Sequence, residues 1–137
     1  TPTCWIILGP IGAGTISLRG IADASKALGL MASAETIKLM ALMLWGVGLW
    51  AIAVTIAITV SYIRKGGIPF SLSWWAFVFP TAVYTLSSFI IYNYTNLSVI
   101  HIYALLLLCL TSVFWLCAFV KTIAGIKTGK LLFPSNN

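Results

Sequence analysis

Long uncharged runs separated by short polar stretches divide the chain into four segments. The clearest is Ser73 to Tyr92, SWWAFVFPTAVYTLSSFIIY, which has no charge and only scattered hydroxyls where a water-soluble helix would show a polar face. At about 1.5 Å per residue, such a helix spans roughly 30 Å, the hydrocarbon thickness of a bilayer. Trp74 and Trp75 at one end, and Tyr92 and Tyr94 at the other, fit the aromatic belts found at headgroup level. Pro80 removes one helical hydrogen bond and crowds the carbonyl of Ala76, so a kink is expected there. The same reading predicts helical spans over about 4–22, 39–63, 73–92 and 99–122.

The spans differ in character. The first, CWIILGPIGAGTISLRGIA, carries a central Gly-Pro-rich string that a membrane helix tolerates, because neighbouring helices satisfy its backbone and glycine lets them come close. Read as a phosphate-binding glycine loop, the string fails on context, since no strand precedes it and no Lys-Ser/Thr follows. The second and fourth spans are plainer, rich in Ile, Val, Leu and Ala, with Gly46 and Gly48 as places where a neighbour could seat. The segment from Asp23 to Lys38 reads as a solvated polar loop, with any helix in it short and interfacial. If it is locally helical, Arg19 reaches Asp23 and Glu35 reaches Lys38. Gly66, Gly67 and Pro69 mark a turn into the third span. Asn93 to Ser98 forms a polar loop with two glycosylation-type sequons, at Asn93 and Asn96. His101 near the start of the fourth span reads as an interfacial polar residue.

Composition agrees with a membrane location. Of 137 residues, 61% are apolar and 7% are charged, far below the quarter or so that a soluble surface needs. Cys4, Cys109 and Cys117 lack the spacing of a disulfide framework or a metal site and read as small apolar fillers. No cofactor is implied: His101 has no second histidine to share a haem, and Asp23 and Glu35 lie outside the spans. An enzymatic reading therefore lacks its residues. The sequence opens Thr-Pro-Thr without a basic n-region, so it reads as a piece of a longer polypeptide rather than as a signal peptide followed by a domain.

The net charge of +6 serves as an orientation signal before it suggests any nucleic acid partner. Four crossings place Arg64, Lys65, Lys121, Lys127 and Lys130 on one side with no acid, so both termini are expected in the cytoplasm.

An internal repeat underlies the four spans. Setting Pro10 over Pro80 aligns Trp5 with Trp75, Thr15 with Thr85 and Ser17 with Ser87, all 70 residues apart. Two helical hairpins follow, each a proline-containing helix and then a plainer one. The proline helices are expected to line a path and the plain ones to face lipid.

WWAFVFP after a basic loop, followed by small and hydroxyl residues, resembles the signature of the tellurite-resistance/dicarboxylate transporter family. That family includes malic acid transporters, sulfite exporters and slow anion channels. LGPIGAG resembles the glycine-proline segment of an earlier inner helix in the same family. The resemblance implies an all-α membrane protein of five hairpins and ten helices, of which this chain would be the last two hairpins. It also implies an anion path through inner helices, a trimeric assembly and a cell-membrane location. Gly9, Pro10, Gly12, Trp75 and Pro80 become candidate pore-lining or kink residues. Phe79, just before the proline, becomes the candidate gate, with Gly9 as its repeat partner. The implied function is transport of small anions such as malate, in contact with membrane lipid and the remaining helices of a full-length protein. The alternative is a four-helix structural or adaptor protein without a path.

Overall fold

A computed structural model describes residues 2–67 and 70–127. Among the described residues are four α-helices, α1 (Leu8–Ala27), α2 (Met31–Arg64), α3 (Trp75–Thr95) and α4 (Ser98–Lys127). Turns of 3-10 helix, Pro2–Ile7 and Leu72–Trp74, lead into α1 and α3. With those turns included, each helix is long and apolar enough to cross a membrane. Lys130 and the Ile68–Pro69 part of the expected turn lie outside the described residues.

The two short connections are tighter than the polar pattern suggests. Residues 23–38 do not form a loop, because α1 continues through Asp23 to Ala27 and α2 already begins at Met31. The break falls at Gly29, whose φ of +78° is open to glycine at little cost. There the Leu30 N–H bonds back to the Ser25 carbonyl at 2.9 Å and the Gly29 N–H to the Lys26 carbonyl at 3.0 Å, capping the helix end. The charges that suggested a loop instead pair along helix faces, Arg19 with Asp23 at 2.5 Å and Lys38 with Glu35 at 2.7 Å. At the far hairpin, Asn96 takes φ of +52° to end α3, and Asn93 belongs to the helix rather than to a loop. In α3 the helix runs on through Pro80.

α1 and α3 lie side by side at the centre. A Cβ built on Gly9 meets the Pro80 side chain at 3.9 Å, and one on Gly12 would press on the Val83–Tyr84 backbone at 2.8–2.9 Å. Both contacts advance together along the two chains, so the helices run parallel, and at Gly12 only glycine permits so close an approach. α2 packs on the outside of α1 and α4 on the outside of α3. Long aromatics bridge what remains, Trp45 to Tyr103 at 6.0 Å and Trp5 to Phe114 at 5.2 Å.

The outer helices share a seam of small buried residues. Ala34, Ala41 and Gly48 on α2 are seven apart, and 70 residues on stand Ala104, Thr111 and Ala118, also buried. Packing between membrane helices relies on such small residues, since lipid offers no hydrophobic drive to bring helices together. Gly48 and Gly46 separate here. Gly48 lies under the ring of Tyr84, while nothing stands within 4 Å of a Cβ on Gly46. Cys109 and Cys117 lie on the exposed face of α4 and fill no core position.

Candidate functional site

Between the exposed flanks of α1 and α3 lies a concave apolar cavity of about 560 Å³. Its lining is Ile6, Gly9, Pro10 and Ala13 from the first repeat, and Ala76, Phe79, Pro80 and Val83 from the second. Each of the first four stands 70 residues before one of the second four, so the two repeats contribute the same positions to one surface. The spacing i, i+3, i+4, i+7 about each proline is one face of a helix.

Within this surface Phe79 differs from its neighbours. It is 71% exposed, whereas Phe77 two residues earlier is 4% exposed. Phe77 sits in an aromatic cluster, 5.6 Å from Trp5, 5.1 Å from Phe114 and 5.8 Å from Trp74, and holds the base of α3 in place. Phe79 stands on a lining otherwise mostly of glycine, alanine and proline, and the repeat places Gly9 at its counterpart, so a single aromatic ring occupies this surface.

The cavity has no charged or hydroxyl side chain in its lining. The buried serine and threonine hydroxyls of α1 and α3 turn to their own helices. Thr15 donates to the Ile11 carbonyl at 2.9 Å, Thr85 to the Thr81 carbonyl at 2.7 Å, and Ser87 and Ser88 both to the Tyr84 carbonyl. Behind the cavity the two hairpins are locked together by polar contacts. The Tyr84 hydroxyl donates to the Trp45 carbonyl at 2.9 Å, and the Trp45 indole N–H donates to Ser88 Oγ at 2.8 Å. Such a lining offers no charged or hydroxyl side chain to an ion.

Of the sequence candidates, Gly9, Pro10, Phe79 and Pro80 come together on the cavity. Gly12 lies beneath it, at the contact between α1 and α3. Trp75 lies off it: the ring is 37% exposed and its N–H donates to Thr122 Oγ1 of α4 at 3.3 Å, so it braces the second hairpin. The repeat partner Trp5 is fully buried and donates to Thr59 Oγ1 of α2 at 2.9 Å, so both tryptophans tie an inner helix to its own outer helix. Sequence reasoning missed Ile6, Ala13, Ala76 and Val83. Their signal was present, because a helical step of three or four from each proline reaches all of them.

Arg19 and Lys38 converge at the other end of the helices. Each lies near the ring of Tyr94, at 5.0 and 5.6 Å, so cation–π contacts join α1, α2 and α3 there. At the opposite end Lys121 sits 4.2 Å from the Trp74 ring. Each end of the bundle thus sets a cation against an aromatic that the sequence pattern assigns to headgroup level.

Two uncharacterized transporters of Methanocaldococcus jannaschii resemble the chain. One is 34% and the other 35% identical to it over 130 residues. In each case the match covers 95% of this chain and 37% of the relative, so the chain spans little more than a third of their length. No solved structure matches it. Residues 1–123 match the family described as SLAC1, voltage-dependent anion channel. A membrane-spanning repeat with paired proline helices, and a family match over nearly its whole length, lead to one conclusion: the chain belongs to the SLAC1 family.

Proposed function

We propose that the chain forms part of the wall of a membrane path for small anions, with the α1–α3 cavity facing that path and Phe79 closing it. The observation that carries this reading is the contrast between buried Phe77 and exposed Phe79 on one helix turn. A packing role accounts for Phe77. It leaves Phe79 unexplained, because most of this large ring stays exposed on a surface made mainly of small residues. The lack of acidic residues in the cavity lining suits an anion, since a carboxylate in a low-dielectric wall would repel it strongly. A C4-dicarboxylate such as malate is the substrate that the family resemblance favours. The same resemblance supports a ten-helix, trimeric assembly in the cell membrane, in which these helices are two of five hairpins.

The test is anion efflux from liposomes carrying the complete gene product, with malate and chloride loaded separately. Efflux above the protein-free background supports the reading, and background efflux for both anions contradicts it. Orientation follows the charge asymmetry: both termini face the cytoplasm, with Arg64, Lys65, Lys121 and Lys127 on that side. A cysteine added after Asn137 is therefore expected to react with a membrane-impermeant maleimide only after cells are opened. Labelling of intact cells would reverse the topology.

A further inference from the structure

Cations lie against aromatic rings at both ends of the helices, but their counter-ions stand at one end only. Arg19 and Lys38, beside the Tyr94 ring, pair with Asp23 and Glu35. Those two are the acidic residues of the chain. At the other end Lys121 lies 4.2 Å from the Trp74 ring and 5.8 Å from that of Phe70. It shares that end with Arg64, Lys65 and Lys127, and no acidic side chain of the chain stands there. A ring face positions an ammonium without neutralising it.

From Lys121 toward the middle of α4 runs an apolar groove of about 280 Å³, lined by Leu116, Cys117, Val120 and Lys121 itself. The repeat shows which way it faces. Seventy residues before Leu116, Cys117 and Val120 stand Gly46, Val47 and Trp50. Nothing lies within 4 Å of a Cβ on Gly46, and Val47 and Trp50 are 52% and 67% exposed. They stay open although α3 packs on the adjoining side of α2, at Trp45 and Gly48. This strip is therefore turned away from the inner helices in both hairpins. Lys121 and Trp74 correspond to Ala51 and Cys4, so the first hairpin has the outward strip without the cation.

We infer that Lys121 and this groove form a seat for an anionic phospholipid in the leaflet at the basic end of the helices. The lipid phosphate pairs with the Lys121 ammonium, and one acyl chain lies along Leu116, Cys117 and Val120. The level, the lining and the charge together choose this occupant. Trp74 and Trp75 belong to the aromatic belt, and the Trp75 N–H bond to Thr122 holds Lys121 at the same headgroup level. A lysine there runs its stem along apolar surface and keeps its ammonium at the boundary. The groove beyond it offers an acyl chain apolar contact and a dissolved anion none. Basic residues without acids favour an anionic over a zwitterionic headgroup.

The seat depends neither on the role of Phe79 nor on which side of the membrane the basic end faces. Its test is native mass spectrometry of the complete gene product in detergent, titrated with phosphatidylglycerol or with phosphatidylcholine of the same acyl chains. The first phosphatidylglycerol is expected to bind roughly fivefold more tightly than the first phosphatidylcholine, the effect of one basic residue beside an anionic headgroup. Lys121→Gln is expected to remove that preference, while Lys121→Arg keeps it, as does Arg64→Gln at the same end of α2. Excess glycerol phosphate is expected to leave the bound lipid in place. Equal affinity for the two lipids overturns the inference, as does a preference that survives Lys121→Gln or that Arg64→Gln removes equally. Displacement by glycerol phosphate overturns it too, since the site would then take free anions rather than a lipid.

Discussion

Replacing Phe79 with alanine is expected to raise basal anion efflux from liposomes carrying the complete gene product by an order of magnitude or more. The ring is 71% exposed on a surface whose other members are mostly glycine, alanine and proline. An anion entering such a constriction sheds hydration and finds no donor to replace it, at a cost of several kcal/mol. Removing the ring leaves room for water, and about 1.4 kcal/mol of relief already gives a tenfold rate. Pro80 follows directly and lacks the N–H, so the local backbone, and with it the aim of the ring, is constrained. Phe77→Ala is the contrast. It empties a site between Trp5, Trp74 and Phe114, and the loss of a buried phenyl costs about 3–5 kcal/mol. That variant is expected to lower folded yield, with no rise in flux per folded molecule. Unchanged efflux from well-folded Phe79→Ala would remove Phe79 from the gate.

The second large effect is on assembly. Gly48→Ala is expected to destabilise the protein, and Gly46→Ala to leave it unchanged. A methyl at Gly48 overlaps Cε2, Cζ and the hydroxyl of Tyr84. That ring cannot move aside cheaply: it is fully buried, stacked 6.4 Å from Trp45 and bonded to the Trp45 carbonyl. Overpacking of this kind costs about 1–3 kcal/mol, and here the lost hydrogen bond adds to it. At Gly46 a methyl meets open space. Thermal unfolding in detergent separates the two variants. Tyr84→Leu in the Gly48→Ala background removes the overlap, so the double variant should lose less than the two single losses combined. Additive losses, or a Gly48→Ala protein as stable as its parent, would show that the ring does not lie on that glycine.

Much of this architecture was legible in the residues. Four uncharged runs located four helices, because a bilayer admits little else, and the 70-residue offset paired Pro10 with Pro80 before any contact was known. The match extends to the cavity itself, which takes the same four positions from each repeat. The sequence misled where charge was read as the end of a helix. Arg19, Asp23, Glu35 and Lys38 continue their helices past the apolar runs, since pairs three and four apart neutralise one another along a helix. It was silent where a tertiary neighbour decides. Gly46 and Gly48 look alike in sequence, and only the position of Tyr84, 36 residues beyond Gly48, tells them apart. Trp5 and Trp75 match by offset, yet one is buried and the other partly exposed, because α3 covers the first hairpin and nothing among the described residues covers the second in the same way.

The paired α1–α3 surface is expected to face the anion path. Its most direct test is modification of Ala13→Cys and Val83→Cys, one from each repeat, by a negatively charged methanethiosulfonate reagent. The background is the complete gene product carrying Phe79→Ala and lacking native cysteines. Both positions line the cavity, whereas Leu106→Cys lies on the exposed face of α4. Ala13→Cys and Val83→Cys are expected to react, and reaction to block anion efflux, while Leu106→Cys does neither. Unreactive cysteines at 13 and 83, or reaction there without any effect on efflux, would contradict it.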